Sequence, residues 1–148
     1  MGGGAAPSVL VYWNFYDGRA TDQSPTGNVG TLLGDVAAAP GKLGNALLFD
    51  GFTTVLDRPA AGTPQLNGSF SIEAWVAQAA YPWNWCPIIT QQRDEVAGYA
   101  FSVGPRGQIR LQLATGGAWQ SCTSEDWVLP LRKWIHVAAT FDTSKGIT

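Results

Sequence analysis

Tyr81, Trp83 and Trp85 alternate within Tyr81-Pro82-Trp83-Asn84-Trp85-Cys86-Pro87, and Trp119 and Trp127 bracket a second polar stretch. Rings spaced in this way along loops cannot all turn into one core. Flat indoles stack on the apolar faces of sugars, and Gln91, Gln92, Arg93 and Gln120 beside them offer hydrogen bonds to hydroxyls. The pattern points to a carbohydrate site drawn from Tyr81, Trp83, Trp85, Arg93 and Trp119. An alternative use of the same rings is to plug an open sandwich edge or to dock on an adjoining domain.

The acidic residues argue less for catalysis. A retaining glycosidase needs two carboxyl groups about 5 Å apart, and Glu73 stands alone on its segment. Asp94-Glu95 and Glu125-Asp126 are adjacent pairs in loops. Neighbours in an extended chain point to opposite sides, which is poor geometry for an acid and a base, so both pairs read as solvated turns. His136, the one histidine, shares an alternation set with Trp134 and Thr140, as Glu73 does with Trp75. Were the two strands neighbours, Glu73 and His136 would pair, and the expectation is a structural pair inside a sandwich. No Gly-x-Ser-x-Gly motif completes a triad, and Gly104-Pro105-Arg106-Gly107 is no phosphate loop. Trp13, Trp75 and Trp134 lie in strand-like segments and are expected in the core.

Cys86 and Cys122, the two cysteines, admit two readings. A disulfide closing that loop adds on the order of 4 kcal/mol; the other reading is two separate buried thiols.

The elements that must hold these residues read as β-strands. Ser69 to Ala77 alternates Phe70, Ile72, Ala74 and Val76 with Ser71, Glu73 and Trp75, a period of two that marks a core strand. Further strands are expected at Val9–Tyr16, Val29–Leu33, Asn45–Phe49, Thr53–Leu56, Pro87–Gln92, Gly98–Val103, Gln108–Ala114 and Lys133–Asp142. The segments around Asp50-Gly51 should form a hairpin or corner, and Trp119 to Trp127 a loop. No segment carries a sustained 3.6-residue period. The fold class is all-β, a two-sheet antiparallel sandwich or jelly roll with almost no helix.

Bulk properties agree. The 148 residues are 45% hydrophobic, enough for one domain with a true core, and Gly 18 and Pro 9 supply the turns of a β protein. A charged fraction of 14% and a net charge of -2 argue against a nucleic-acid partner. No apolar run approaches a membrane span. Residues 1–8 read as a leader or linker without a secretory signal.

Lys42-Leu43-Gly44-Asn45-Ala46-Leu47-Leu48-Phe49-Asp50-Gly51, Ser69 to Val76 and Lys133 to Asp142 together resemble the concanavalin A-like sandwich of laminin-G-like and pentraxin-like domains. Tyr12-Trp13-Asn14-Phe15 and Asp22-Gln23-Ser24 resemble the start of such domains, so the resemblance spans residues 9–148. It implies a jelly roll whose last strands lie beyond Thr148, supplied by a longer chain or by another one. It also implies structural calcium on loop carboxylates, for which Asp22, Asp50 and Asp142 at strand ends are the candidates, against plain turn roles for each. The expected function is a noncatalytic carbohydrate-binding or adhesion module of a larger extracellular protein, appended to a polysaccharide-active enzyme. Two alternatives stand beside it: an accessory domain packing on a glycoside hydrolase, and a fragment of such an enzyme whose acid lies past residue 148.

Overall fold

The computed structural model describes residues 8–66, 68–93, 97–115 and 117–148, with backbone alone for Arg93 and Thr115. Among them no helix forms, and the strands pair antiparallel throughout. The chain divides into two compact units, Met1–Gln65 and Leu66–Thr148.

In the first unit β1 (Thr31–Leu33) pairs with β4 (Val55–Asp57), and β2 (Ala37–Pro40) pairs with β3 (Asn45–Leu48). Of the hairpin and the corner expected at Asp50-Gly51, the hairpin does not form, because Val55 to Asp57 pairs with β1 and Asn45 to Leu48 with β2. Val9 to Tyr16 is not a strand either. It keeps a single bridge, Trp13 to Asp22, since its backbone is captured by side chains: Tyr12 N donates to Asp22 Oδ1 at 2.8 Å, and Leu10 O accepts from Asn28 Nδ2 at 3.0 Å. Much of the apolar surface here faces outward, with Phe52 87% and Leu43 67% exposed.

The second unit is a sandwich. One sheet has the order β11-β10-β5, from β5 (Phe70–Val76), β10 (Ile135–Asp142) and β11 (Gly146–Ile147). The other has the order β6-β7-β8-β9, from β6 (Cys86–Arg93), β7 (Ala97–Val103), β8 (Ile109–Thr115) and β9 (Ala118–Thr123). Register pairs Ile72 with Ala139 in one sheet and Phe101 with Leu111 in the other, so each inner face is an apolar ladder. Phe101, Val103, Leu111, Leu113, Leu129, Val137 and Ala139 form the buried core, against which Phe70, Ile72 and Ile135 pack. The Phe70 ring lies 5.7 Å from Phe141 in its own sheet and 6.1 Å from Tyr99 in the other, which ties the two layers together. Phe101 and Leu111, at 0% and 1% exposure, each contribute roughly 2 to 3 kcal/mol of burial free energy.

One sequence expectation changes in this unit. Ala118 to Thr123 is an edge strand, not a loop, and its residues are exposed on both faces, so no alternation announces it. Where β6 meets β7, Gly98 has φ +112, and a Cβ there would collide with Gln91 O. Only glycine lets the end of β6 and the start of β7 approach so closely.

Candidate functional site

The first aromatic segment separates into anchors and one free ring. Tyr81 is half-buried, donates its hydroxyl to Leu129 O at 3.0 Å, and meets Trp127 edge-on at 5.3 Å. Trp85 is half-buried too. A Cβ at Gly104 would come within 2.8 Å of its Cη2, so the indole rests on the Gly104 backbone, and Arg110 Cζ stands 3.7 Å from its ring centre. Trp83 alone projects outward, 87% exposed. The Arg93 side chain and the residues Asp94 and Glu95 lie outside the described residues.

The turn after β7 clamps the stretch that follows β9. Arg106 Nε pairs with Asp126 at 2.9 Å, Gln108 Nε2 donates to Asp126 Oδ1 at 2.7 Å, and Trp127 N donates to Arg106 O at 2.7 Å. Asp126 is a structural acceptor in this clamp. Trp127 sits at φ 65, in the left-handed region that a bulky side chain tolerates only when its surroundings hold it.

Alternation along β8 turns Ile109, Leu111 and Leu113 inward, and so Arg110 and Gln112 outward. Arg110 stands opposite Ser102 on one side and Thr123 on the other; Gln112 stands opposite Ser121, and Ala114 opposite Trp119. With Thr90 opposite Ala100, the outward positions of the described strands hold amides, hydroxyls, the Arg110 guanidinium and the Trp119 indole, at 36% exposure, while Ala100 and Ser102 at the centre of this face are covered, at 6% and 3%. Among the described residues of these strands the face carries no carboxylate. From Trp119 to Thr123 this margin runs about 13 Å.

The outer face of the three-stranded sheet corrects a second set of expectations. β5 and β10 are neighbours, with His136 opposite Trp75 and Ala138 opposite Glu73. His136 Nε2 lies 3.4 Å from Glu73 Oε2, but this pair faces outward, with side chains 42% and 74% exposed. Trp75 is 49% exposed and tilts over His136 at 5.2 Å, so it does not belong to the core. The apolar set Phe70, Ile72, Ala74 and Val76 takes the inner face and leaves Trp75 no other direction. The one other carboxylate of these strands on this alternation set, Asp142, stands at the end of β10, four residues or about 13 Å past the Ala138 that faces Glu73, too far for an acid and base pair.

The three candidate calcium carboxylates are each enclosed by their own turn. Asp22 is buried and accepts from Tyr12 N, Ser24 N, Ser24 Oγ and Asn28 N. Burial alone would raise its carboxyl, but those donors outweigh burial and hold it at about 2. Asp50 accepts from Phe52 N, Thr53 N, Thr53 Oγ1, Thr54 N and Thr54 Oγ1, and the Thr53 hydroxyl does most to depress its carboxyl below the usual range. Asp142 accepts from Ser144 Oγ, Ser144 N and Lys145 N, which lower it in the same way. Positive ends of N–H and O–H dipoles converge on every one of these carboxylates, the opposite of what surrounds a cation. Nor does any group of three or more His, Cys, Asp or Glu gather among the described residues. The donor sets do not fit calcium.

Cys86 and Cys122 are free thiols. The strand order puts them on opposite edges of the four-stranded sheet, three strand spacings or roughly 14 Å apart, whereas a disulfide needs Cα atoms within about 7 Å. Of the two readings, separate thiols is the one observed. Cys86 is half-buried and Cys122 exposed, so only the first approaches the expected burial. Cys122 also borders a 370 Å3 cavity between the sheets, lined mainly by Leu111, Val128, Val137, Ala139 and Ile147. Its apolar wall suits no hydroxyl-rich ligand.

Taken together, the second unit is an antiparallel two-sheet sandwich whose outer sheet face is polar and open at one margin. Residues 50–148 match a laminin G family model, and the chain belongs to the concanavalin A-like lectin/glucanases superfamily. No curated protein and no solved structure matches it.

Proposed function

We propose that the second unit is a noncatalytic carbohydrate-binding or adhesion module whose contact surface is the β8–β9 margin of the four-stranded sheet. The observation that carries this reading is the composition of that margin: Trp119 at one end, Gln112, Ser121 and Thr123 along it, and no carboxylate among its described residues. An indole gives a sugar its stacking platform, and the amides and hydroxyls offer both donors and acceptors to a glycan. Trp83 supplies a further exposed ring. The parent protein in this reading is extracellular, and the module holds a polysaccharide-active enzyme at its substrate.

A tryptophan-fluorescence titration with a panel of soluble polysaccharides, neutral and acidic, tests the proposal. Wild type should give a saturable change with one glycan class, and Trp119→Ala should lose most of it while melting at nearly the same temperature. Folded protein that answers no member of the panel, or a Trp119→Ala variant that binds like wild type, overturns the assignment.

A second reading has its own observation. Phe52, Leu43, Leu48 and Val29 in the first unit are more than half exposed, surface of the kind that packs on a neighbouring domain. This favours an accessory role for the first unit. A catalytic domain of the same polypeptide, if it is the partner, should shield these four side chains from hydroxyl-radical footprinting, and unchanged labelling in its presence overturns this reading.

A further inference from the structure

The most unusual group on the outer face of the four-stranded sheet is Arg110, which stands between the covered Ser102 and the exposed Thr123. Its guanidinium is stacked on Trp85, with Cζ 3.7 Å from the ring centre, and its Nε is buried without a hydrogen-bond partner. Asp126, which follows the paired strand β9, is already engaged by Arg106 and Gln108, and among the described residues no carboxylate pairs with Arg110. A half-buried cation without a counter-ion is costly, and burial lowers its proton affinity from the ordinary arginine value. The stack on Trp85 returns part of that cost but leaves Nε without a partner. Arg110 is a good receptor, because the fixed plane of its guanidinium is oriented before any ligand arrives.

We infer that Arg110, held on Trp85, binds the carboxylate of a uronic acid residue within the glycan that lies along the β8–β9 margin. This inference rests on the sugar-binding reading of the same face and adds its chemical class, an acidic polysaccharide. The planar fork of arginine matches a carboxylate in two parallel hydrogen bonds, a match that a neutral hydroxymethyl group cannot make. Thr123 opposite Arg110 and Gln112 two residues along the strand stand where the ring hydroxyls of that residue would fall. Trp85 serves as a positioning residue. It touches the guanidinium, not the sugar, and this explains why an indole chosen from sequence as a stacking platform is covered in the structure.

Fluorescence titration with trimeric uronides of galacturonate, glucuronate and mannuronate, each beside its methyl ester, tests the inference. At least one free acid should bind about tenfold or more tighter than its ester, and added salt should weaken the acid but not the ester. Arg110→Gln should erase that ratio. Arg110→Lys, which keeps the charge and loses the planar fork, should keep a smaller one, and thermal melting of both variants confirms that they are folded. Acid and ester binding alike in wild type, or an acid preference that survives in folded Arg110→Gln, overturns the inference. A neutral polysaccharide that still binds through Trp119 in that case leaves the broader sugar reading standing, so the two can fail separately. Silence toward every uronide with retained neutral binding overturns the uronate assignment alone.

Discussion

The two units solve the same problem with different chemistry. The second buries an apolar ladder between two sheets, and its polar groups decorate the outside. The first leaves Phe52, Leu43 and Leu48 exposed and gathers its order around one buried carboxylate, on which Tyr12, Ser24 and Asn28 converge. Burial of hydrocarbon is indifferent to protons, whereas a network that requires an ionised acid is not. The comparison therefore predicts that the two halves respond to different insults.

The largest effect should come from the apolar core. Leu111→Ala should cost about 3 to 4 kcal/mol in urea denaturation, by the same amount at pH 7 and at pH 3. Asp22→Ala should come next, at about 3 kcal/mol, because it strands buried N–H groups in the first unit. Here pH matters. The Asp22 carboxyl lies at about 2 in the folded chain against 3.8 unfolded, so its contribution is complete above the unfolded value and is lost as pH falls through about 2. The gap between wild type and Asp22→Ala should close over that window, and a gap that stays constant down to pH 2 breaks the comparison. Trp85→Ala should cost about 2 kcal/mol through lost packing on Gly104 and the lost cation stack. Trp83→Ala should stay within about 0.5 kcal/mol, a difference between adjacent indoles that melting curves resolve directly. Chelation by EDTA should leave the melting temperature unchanged, given the turn roles of Asp22, Asp50 and Asp142.

Much of the second unit was legible in the sequence, and the reasons are local. Phe70, Ile72, Ala74 and Val76 announce β5, and Gly104 to Gly107 joins two such runs by a turn that closes through Gly104 N to Gln108 O. The first unit was harder because its order is not periodic. Val9 to Tyr16 alternates like a strand, yet its amides and carbonyls answer to the side chains of Asp22, Ser24 and Asn28, partners that hydropathy does not weigh. β4 pairs with β1 and not with its sequence neighbour, a long-range choice that no turn signal encodes. β9 was missed because an edge strand exposed on both faces has no need of alternation.

The candidate site was legible in kind more than in place. Of the rings that the aromatic excess singled out, Trp83 and Trp119 are exposed, whereas Tyr81 and Trp85 are spent on Leu129, Gly104 and Arg110. Arg110 was within reach of sequence reasoning. Once Ile109, Leu111 and Leu113 are assigned inward, an arginine between them must face out beside polar neighbours, and its inward-outward assignment needs no coordinates. What sequence could not supply was its stacking on Trp85, which depends on how the segment before β6 folds across the Gly104 turn.

The measurement that tests the central claim most directly is backbone-amide NMR shift mapping during titration with the glycan that answers the fluorescence panel. The account predicts that the largest perturbations cluster on Arg110, Gln112, Trp119, Ser121 and Thr123. Perturbations centred instead on Glu73, Trp75 and His136, on the outer face of the other sheet, would contradict it.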